Sequence, residues 1–296
     1  MTSQALSALR RAGRIASAAR DFGAERIVAG AKVRDVCESV EEEIKRLGGA
    51  PAFPAQSSRN EIAAHYCPAP DDETAYADGD LAKLDVGVHI DGWVVDTATT
   101  VAIGGGGGQR LIDATAAALQ AAIAIAGPGV PVRVLSEAIE RVIRGRGLQP
   151  MRNLCGHGVD RWTVHCPPPI PNAVDGSSAR LAPGSVVAIE PFATEGRGDV
   201  SEAGHAEVFR MPIPPAERDG LNEDVLAAIH ELHGLPFSRR QLKRFPTAHV
   251  EQTLKTLWER KAMAAYPPLS EAGGHPVAQA EHSLYVSAEG VEVLTL

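Results

Sequence analysis

Residues 81–103 read LAKLDVGVHIDGWVVDTATTVAI. Two alternating, β-branched runs flank Asp91-Gly92, a strong signal for a two-residue hairpin turn. With the turn there, Gly87 faces Asp96 and Asp85 faces Ala98. Opposed residues, and residues two apart, point to the same side of a sheet. Asp85 and Asp96 therefore share a face as diagonal neighbours, roughly 7–8 Å apart at the backbone. Gly87, His89, Val94, Ala98 and Thr100 complete that face. Leu84, Val86, Val88, Ile90, Trp93 and Val95 supply the opposite one, an apolar side to be covered by helices.

Two carboxylates side by side in a half-buried sheet repel each other unless a cation, a proton or solvent intervenes. A metal pair about 3.5–4 Å apart would suit both. The hairpin alone leaves two readings open, a metal site and the solvated side of an ordinary sheet. A register slip of one residue would remove the first.

Outward from the hairpin the pattern alternates between helix and strand. Towards the N-terminus, Val36, Val40, Ile44 and Leu47 fall on one helical face and Gly48-Gly49 gives a stop. The stretch LSALRRAGRIASAARDFGAERIV is Arg-rich and amphipathic, but Asp21 and Glu25 make it an ordinary first helix rather than a transit peptide. Towards the C-terminus come a helix from Gln109 to about Ala126, a second in VLSEAIERVIRGRG, and strand-like segments around His157, Glu190 and AEHSLYV. Residues 214–267 turn helical again, with Leu254, Leu257, Trp258 and Lys261 at helical spacing. That stretch reads as a helical subdomain inserted into a single catalytic domain spanning 1–296. A faint echo links Gly79–Asp85 with Gly184–Glu190: turn glycine, short apolar strand, then a carboxylate. It suits a fold of two related halves, each presenting an acid at its centre.

Several further residues have the character of ligands. His157 sits between Gly156 and Gly158, which permit close backbone approach; a turn histidine is the alternative. Glu190 ends the apolar strand SVVAIE and Glu281 lies in VAQAEHSLYV, where unpaired carboxylates would be costly to bury. A shared cation site explains these together better than separate accidents do. Other patterns carry less. The run Gly104–Gly108 lacks phosphate-loop spacing and reads as a flexible connection. His230-Glu-Leu-His233 is not HExxH and reads as a solvated helix face. Arg197-Gly198-Asp199 has no secretory context, no GxSxG elbow is present, and Cys67, Cys155 and Cys166 read as small fillers rather than nucleophiles.

The bulk composition narrows the classes. The 296 residues are 44% hydrophobic, enough for a sizeable core, and carry a formal charge of -8 with acids and bases interspersed. No basic stripe points to nucleic acid, and no long uncharged apolar run points to a membrane span. Four cysteines form no CxxC pair and no disulfide framework, so cytoplasmic residence is the expectation.

Five segments in order, FP-x(5)-NEIAAHY, KLDVGVHIDGWVVDTA, GHGVDRWTVH-x(4)-IPN, AIEPFAT and AQAEHSLYV, resemble the signature segments of the methionine aminopeptidases, particularly the archaeal members of type 2. The likeness runs from about residue 8 to the C-terminus. It implies the pita-bread α/β (α+β) fold, with pseudo-twofold halves around a dinuclear metal centre. It also implies ligand roles: Asp85 chelates one metal, His157 and Glu190 hold the other, and Asp96 and Glu281 bridge the pair. The long interval between Glu190 and Glu281 points to type 2, since it is much shorter in type 1.

The implied reaction is hydrolytic release of the N-terminal methionine from nascent polypeptides with a small second residue, by a monomer working near the ribosome. Two divalent ions (cobalt, manganese, iron or zinc) would activate the water. Glu190 would be the general base, and His165 would stabilise the tetrahedral intermediate. His65, the residue that fumagillin-type epoxides alkylate in this family, would assist proton transfer. Phe53 would wall the methionine pocket. The stretch EGRGDVSEAGHAEV matches less well and is a candidate lining of the substrate cleft, with His205 left unassigned. The rivals are a prolidase-type aminopeptidase of the same fold and a non-catalytic relative that binds RNA or protein. The first usually needs an extra N-terminal domain; the second usually has lost ligands.

Overall fold

The computed structural model describes residues 1–105 and 107–296. Its first half is built on a four-stranded antiparallel sheet: β1 (Ala50–Pro51), β2 (Gln56–Arg59), β3 (Leu81–Ile90) and β4 (Trp93–Ala102). The hairpin β3–β4 has the expected register, with Asp85 opposite Ala98 and Gly87 opposite Asp96. Asp91 (φ 51) and Gly92 (φ 84) both adopt the left-handed region, as a type I′ turn demands. On the other side of β3, Gln56 of β2 stands opposite Asp85.

Helices α1 (Ser3–Ala24) and α2 (Val33–Arg46) cover the apolar face. Leu84, Val86, Val88 and Val95 pack with Leu9, Ala12, Ala16 and Ala19 of α1 and with Val36, Val40 and Ile44 of α2. The alanine ridge brings α1 close to the sheet, and the 3.6-residue spacing puts that ridge on one stripe. Thr2 caps α1 by accepting a hydrogen bond from the Ala5 amide.

The second half repeats this arrangement. Helices α3 (Gln109–Ile125) and α4 (Val132–Gly145) lie on a five-stranded antiparallel sheet. Its strands are β5 (Cys155–Asp160), β6 (Thr163–Pro171), β7 (Val186–Ile189), β8 (His282–Val286) and β9 (Val291–Val293), in the order β9-β8-β7-β5-β6. Leu119, Leu135, Ile139 and Ile143 from the helices meet Val187, Ile189, Leu284 and Val286 from the sheet. The echoing glycines are equivalent in conformation, Gly79 at φ 89 and Gly184 at φ 86. Two helices on an antiparallel sheet, twice over, make the mixed α/β architecture that the resemblance implies.

Between the paired strands Val208–Arg210 and Ala264–Tyr266 lie α5 (Glu223–His230), a 3₁₀ turn at Arg239–Leu242 and α6 (Thr247–Glu259). Val225, Leu226, Ile229, Phe237, Leu254 and Leu257 form a separate apolar cluster there, whereas Trp258 stays exposed.

Some local expectations need correction. His230 and His233 are both exposed, as expected, but His233 lies beyond the end of α5 at φ 53, so the two do not share a helix face; its ring is tilted against Trp162 with centroids 4.2 Å apart. Lys261 falls past α6 in a left-handed conformation. In the glycine run, Ile103–Gly105 forms a 3₁₀ turn, and Gly106 lies outside the described residues. Among the described residues no helix is long and apolar enough to cross a membrane.

Candidate metal centre

The two halves meet along β4 and the segment before β8. The Asp96 amide donates to Ser283 Oγ at 2.8 Å, and the Ser283 hydroxyl donates back to the Asp96 carbonyl at 2.9 Å. Thr97 Oγ1 donates to the Glu281 carbonyl at 2.9 Å, and the Glu281 amide to the Ala98 carbonyl. This seam brings the acids of the hairpin beside those of the second half.

Neither Glu190 nor Glu281 lies inside a strand. Each occupies a short break, Glu190 between β7 and Phe192–Thr194, Glu281 between Val277–Gln279 and β8. The antiparallel register is the same on both sides of the break, His282 opposite Ile189 and Gln279 opposite Phe192. Glu190 and Glu281 therefore stand opposite each other where both chains pass from one sheet to the next. His157, on β5 opposite Ala188, reaches the same point. Its Nε2 lies 3.6 Å from Asp96 Oδ2 and 3.7 Å from Glu190 Oε1. Ligand atoms of Asp96, His157 and Glu281 all fall within 4.8 Å of one another.

Electrostatically the group is unfinished. Among the described residues no lysine or arginine pairs with any of the four acids. Burial pushes Asp85 up to about 7. Burial, and then the neighbouring carboxylates, hold Asp96 and Glu281 well above the usual range; burial and then Asp85 do the same to Glu190. Burial, reinforced by His165, pulls His157 down to about 3, so its imidazole is neutral and free to act as a ligand. Asp85 Oδ1, Asp96 Oδ1 and Glu281 Oε1 are buried without a hydrogen-bond partner. Among the described residues Gln279 Nε2 is the one side-chain hydrogen-bond donor to these acids, 3.3 Å from Glu190 Oε2 and 3.5 Å from Glu281 Oε2. Orphaned anionic oxygens around a neutral imidazole fit a divalent cation in both charge and donor type.

These residues border a cavity of about 510 Å³ that also takes in His65, His165 and Phe53, so the ligand, catalytic and pocket candidates converge. His165 stacks edge-on against His157 with ring centroids 4.1 Å apart, and burial, then His65 and Arg210, lower it to about 4. His65, lowered by burial, holds a left-handed backbone (φ 67) at the end of strand Ile62–Ala64. Phe53 lies flat on the hairpin, where a Cβ on Gly87 would come within 2.1 Å of its ring.

Gln56, Arg210, Tyr266 and Leu269 also line the cavity and were not singled out from sequence. None carries a local signal, since each reaches the cavity through long-range pairing. His205 is exposed and outside the lining; Val208 and Arg210 of the following strand take that place. Cys67 is buried as a filler, but Cys155 and Cys166 face the cavity. Burial raises the Cys155 thiol to about 11, which keeps it protonated and a poor nucleophile.

Oxygen ligands around one imidazole, in a cavity large enough for a peptide end, are what a hydrolytic metal centre requires. Comparison with known proteins agrees. Metallopeptidase family M24 matches residues 7–230. A methionine aminopeptidase of Archaeoglobus fulgidus is 40% identical over 285 residues, covering 96% of each chain. One from Thermococcus kodakarensis is 41% identical over 291 residues, covering 97% of this chain and 98% of the relative. The fold is similar to that of the Thermotoga maritima methionine aminopeptidase, with a TM-score of 0.73 at 24% identity over 100% of this chain and 98% of that one. The chain belongs to metallopeptidase family M24 and, within it, to the methionine aminopeptidases. Divalent-metal binding goes with that family, and the buried group Asp96, His157 and Glu281 is the candidate site here.

Proposed function

We infer that this chain removes the N-terminal methionine from polypeptides whose second residue is small. The observation that carries the reading is the set of buried, unpartnered carboxylate oxygens beside neutral His157, in a chain about 40% identical to methionine aminopeptidases. Asp85 would chelate one divalent ion, His157 and Glu190 a second, with Asp96 and Glu281 shared between them. Such ions supply a water nucleophile at neutral pH and polarise the scissile carbonyl.

The remaining work falls to the chain's own groups. Glu190 takes the proton of the attacking water, a role that its place on the cavity wall beside the other acids and His157 suits. His165 is neutral at pH 7 and donates its N–H to the oxygen that gains charge in the tetrahedral intermediate. His65 assists proton transfer to the departing amine. Phe53 and the apolar residues opposite it exclude water from the methionine side chain. The segment 214–267 acts as an inserted helical subdomain that marks the type 2 subgroup. The two archaeal relatives named above, matched over nearly their whole length, are methionine aminopeptidases, which disfavours a prolidase-type activity.

The test is peptide hydrolysis by protein reconstituted in turn with manganese, iron, cobalt and zinc. Methionine should be released from Met-Ala-Ser, and Lys-Pro should stay intact. Absence of turnover with every metal, or cleavage of Lys-Pro, would overturn the reading.

A further inference from the structure

Outside the acidic cluster, one buried ion pair ties α2 to two segments that border the substrate cavity. Arg240, in the 3₁₀ turn between α5 and α6, is 2% exposed, and Glu41 of α2 is 7% exposed. Arg240 Nη1 donates to Glu41 Oε2 at 3.0 Å and Nη2 to Glu41 Oε1 at 2.8 Å. The same guanidinium donates through Nε to the Pro68 carbonyl at 2.9 Å, and through Nη2 to the Ala55 carbonyl at 3.3 Å and Cys67 Sγ at 3.6 Å. Glu41 Oε1 in turn accepts from the Ala55 amide at 3.0 Å. Both backbone groups of Ala55 are thus held by one ion pair.

Two of the segments so gripped, at Ala55 and at Cys67-Pro68, adjoin cavity residues, while α2 supplies Glu41. Ala55 closes the turn that bears Phe53, and the other end of that turn is held by the Ala52 amide, which donates to the Gly87 carbonyl of the hairpin at 2.9 Å. Cys67 and Pro68 follow His65, whose left-handed backbone persists only where its surroundings over-determine it. A buried ion pair is weak evidence for stability, since well-packed apolar residues of similar volume often do as well. A planar five-donor fork that meets three separate segments instead provides geometry that an apolar pair cannot.

We propose that Arg240 is a positioning residue for methionine release: through its fork with Glu41 it sets where Phe53 and His65 stand over the metal site. Arg240 thereby shapes a pocket that it does not itself line. This rests on the reading that Phe53 and His65 meet the substrate.

The experiment compares wild type with the double variant E41L/R240M, which replaces the pair by apolar side chains, and with R240K, which keeps charge but loses the fork. Thermal unfolding, manganese binding by calorimetry, and kcat and KM on Met-Ala-Ser are measured for each. Manganese binding should be unchanged, while kcat/KM falls about 10²-fold with a rise in KM, the scale expected for misplacing substrate contacts. If the double variant does not fold, R240K carries the same expectation. Wild-type kinetics in a folded variant would overturn the proposal, as would loss of manganese binding in step with activity. F53A and H65A are assayed alongside. If both retain wild-type kinetics, the substrate reading of those residues fails instead, and the proposal with it.

Discussion

Glu271 and Glu281 are ten residues apart and almost equally buried, at 3% and 2% exposure, yet the protein treats them in opposite ways. Glu271 is surrounded by donors: the amides of Arg197, Gly198, Gly273 and His275 all point at its two oxygens. The glycines of the loop GRG make this possible, since a Cβ on Gly196 would come within 2.5 Å of the carboxylate. Burial works to raise Glu271, but the four backbone hydrogen bonds outweigh it and hold the carboxyl below its ordinary range. Glu281 has one long contact, from Gln279, an oxygen with no partner, and neighbours of its own sign. The fold can neutralise a buried carboxylate with its own groups. Around Glu281 it withholds them, which leaves the neutralising charge to come from outside.

The largest break in this contrast is expected at Glu190. Glu190→Gln should lower kcat on Met-Ala-Ser by about 10³-fold or more, as loss of a general base does. Metal-stripped protein carrying the same change should unfold at a slightly higher temperature than stripped wild type, because one repelling charge has gone. Enzyme assay and calorimetry check the two halves of that statement, and retained turnover would remove Glu190 from the base role.

Glu271→Gln should behave the other way round. A neutral amide can satisfy only part of the donor set, and each buried donor left unpaired costs about 1–3 kcal/mol. A loss of about 3 kcal/mol corresponds to roughly 5–10 °C in Tm for a chain of this size. Turnover per folded molecule should stay within about a factor of two, since the change is a stability effect confined to a loop anchor. A variant with normal Tm and lost activity would mean that Glu271 acts at the site.

How much of this was legible in sequence depended on distance along the chain. Asp85 and Asp96 could be placed on one face because a two-residue turn fixes their register. The helices α1 to α4 followed from apolar spacing and glycine stops. The opposition of Glu190 and Glu281 could not be derived in the same way. It depends on a register set across residues 191–280, and on the chain leaving one sheet for another just where each carboxylate falls. Gln279 was passed over for the same reason, although it lies two residues from Glu281. His233 is solvated as the pattern predicts but not helical, because α5 ends at His230 and the chain turns left-handed at His233. His205 drew attention as a histidine, whereas the strand beginning three residues later supplies the cavity lining.

The central claim, that the acidic cluster is completed by divalent ions, is tested most directly by unfolding temperature with and without metal across pH. Asp85, Asp96, Glu190 and Glu281 have raised affinities for protons in the folded chain. The stability their protonation contributes is complete below the ordinary carboxylate range, and it is lost as pH climbs through the folded values, about 7 for Asp85. His157, lowered to about 3, is neutral in the folded chain above pH 6.5 with or without metal, so its titration in the unfolded chain cancels from the difference. Lys83, buried and lowered to about 7, titrates with or without metal and cancels from the difference. Between pH 6.5 and 8.5 the Tm gap between manganese-loaded and stripped protein should therefore widen, by about 5 °C, as repulsion in the stripped form grows and ligands shed protons. A gap that is absent, or that stays constant or narrows over that range, would contradict the account.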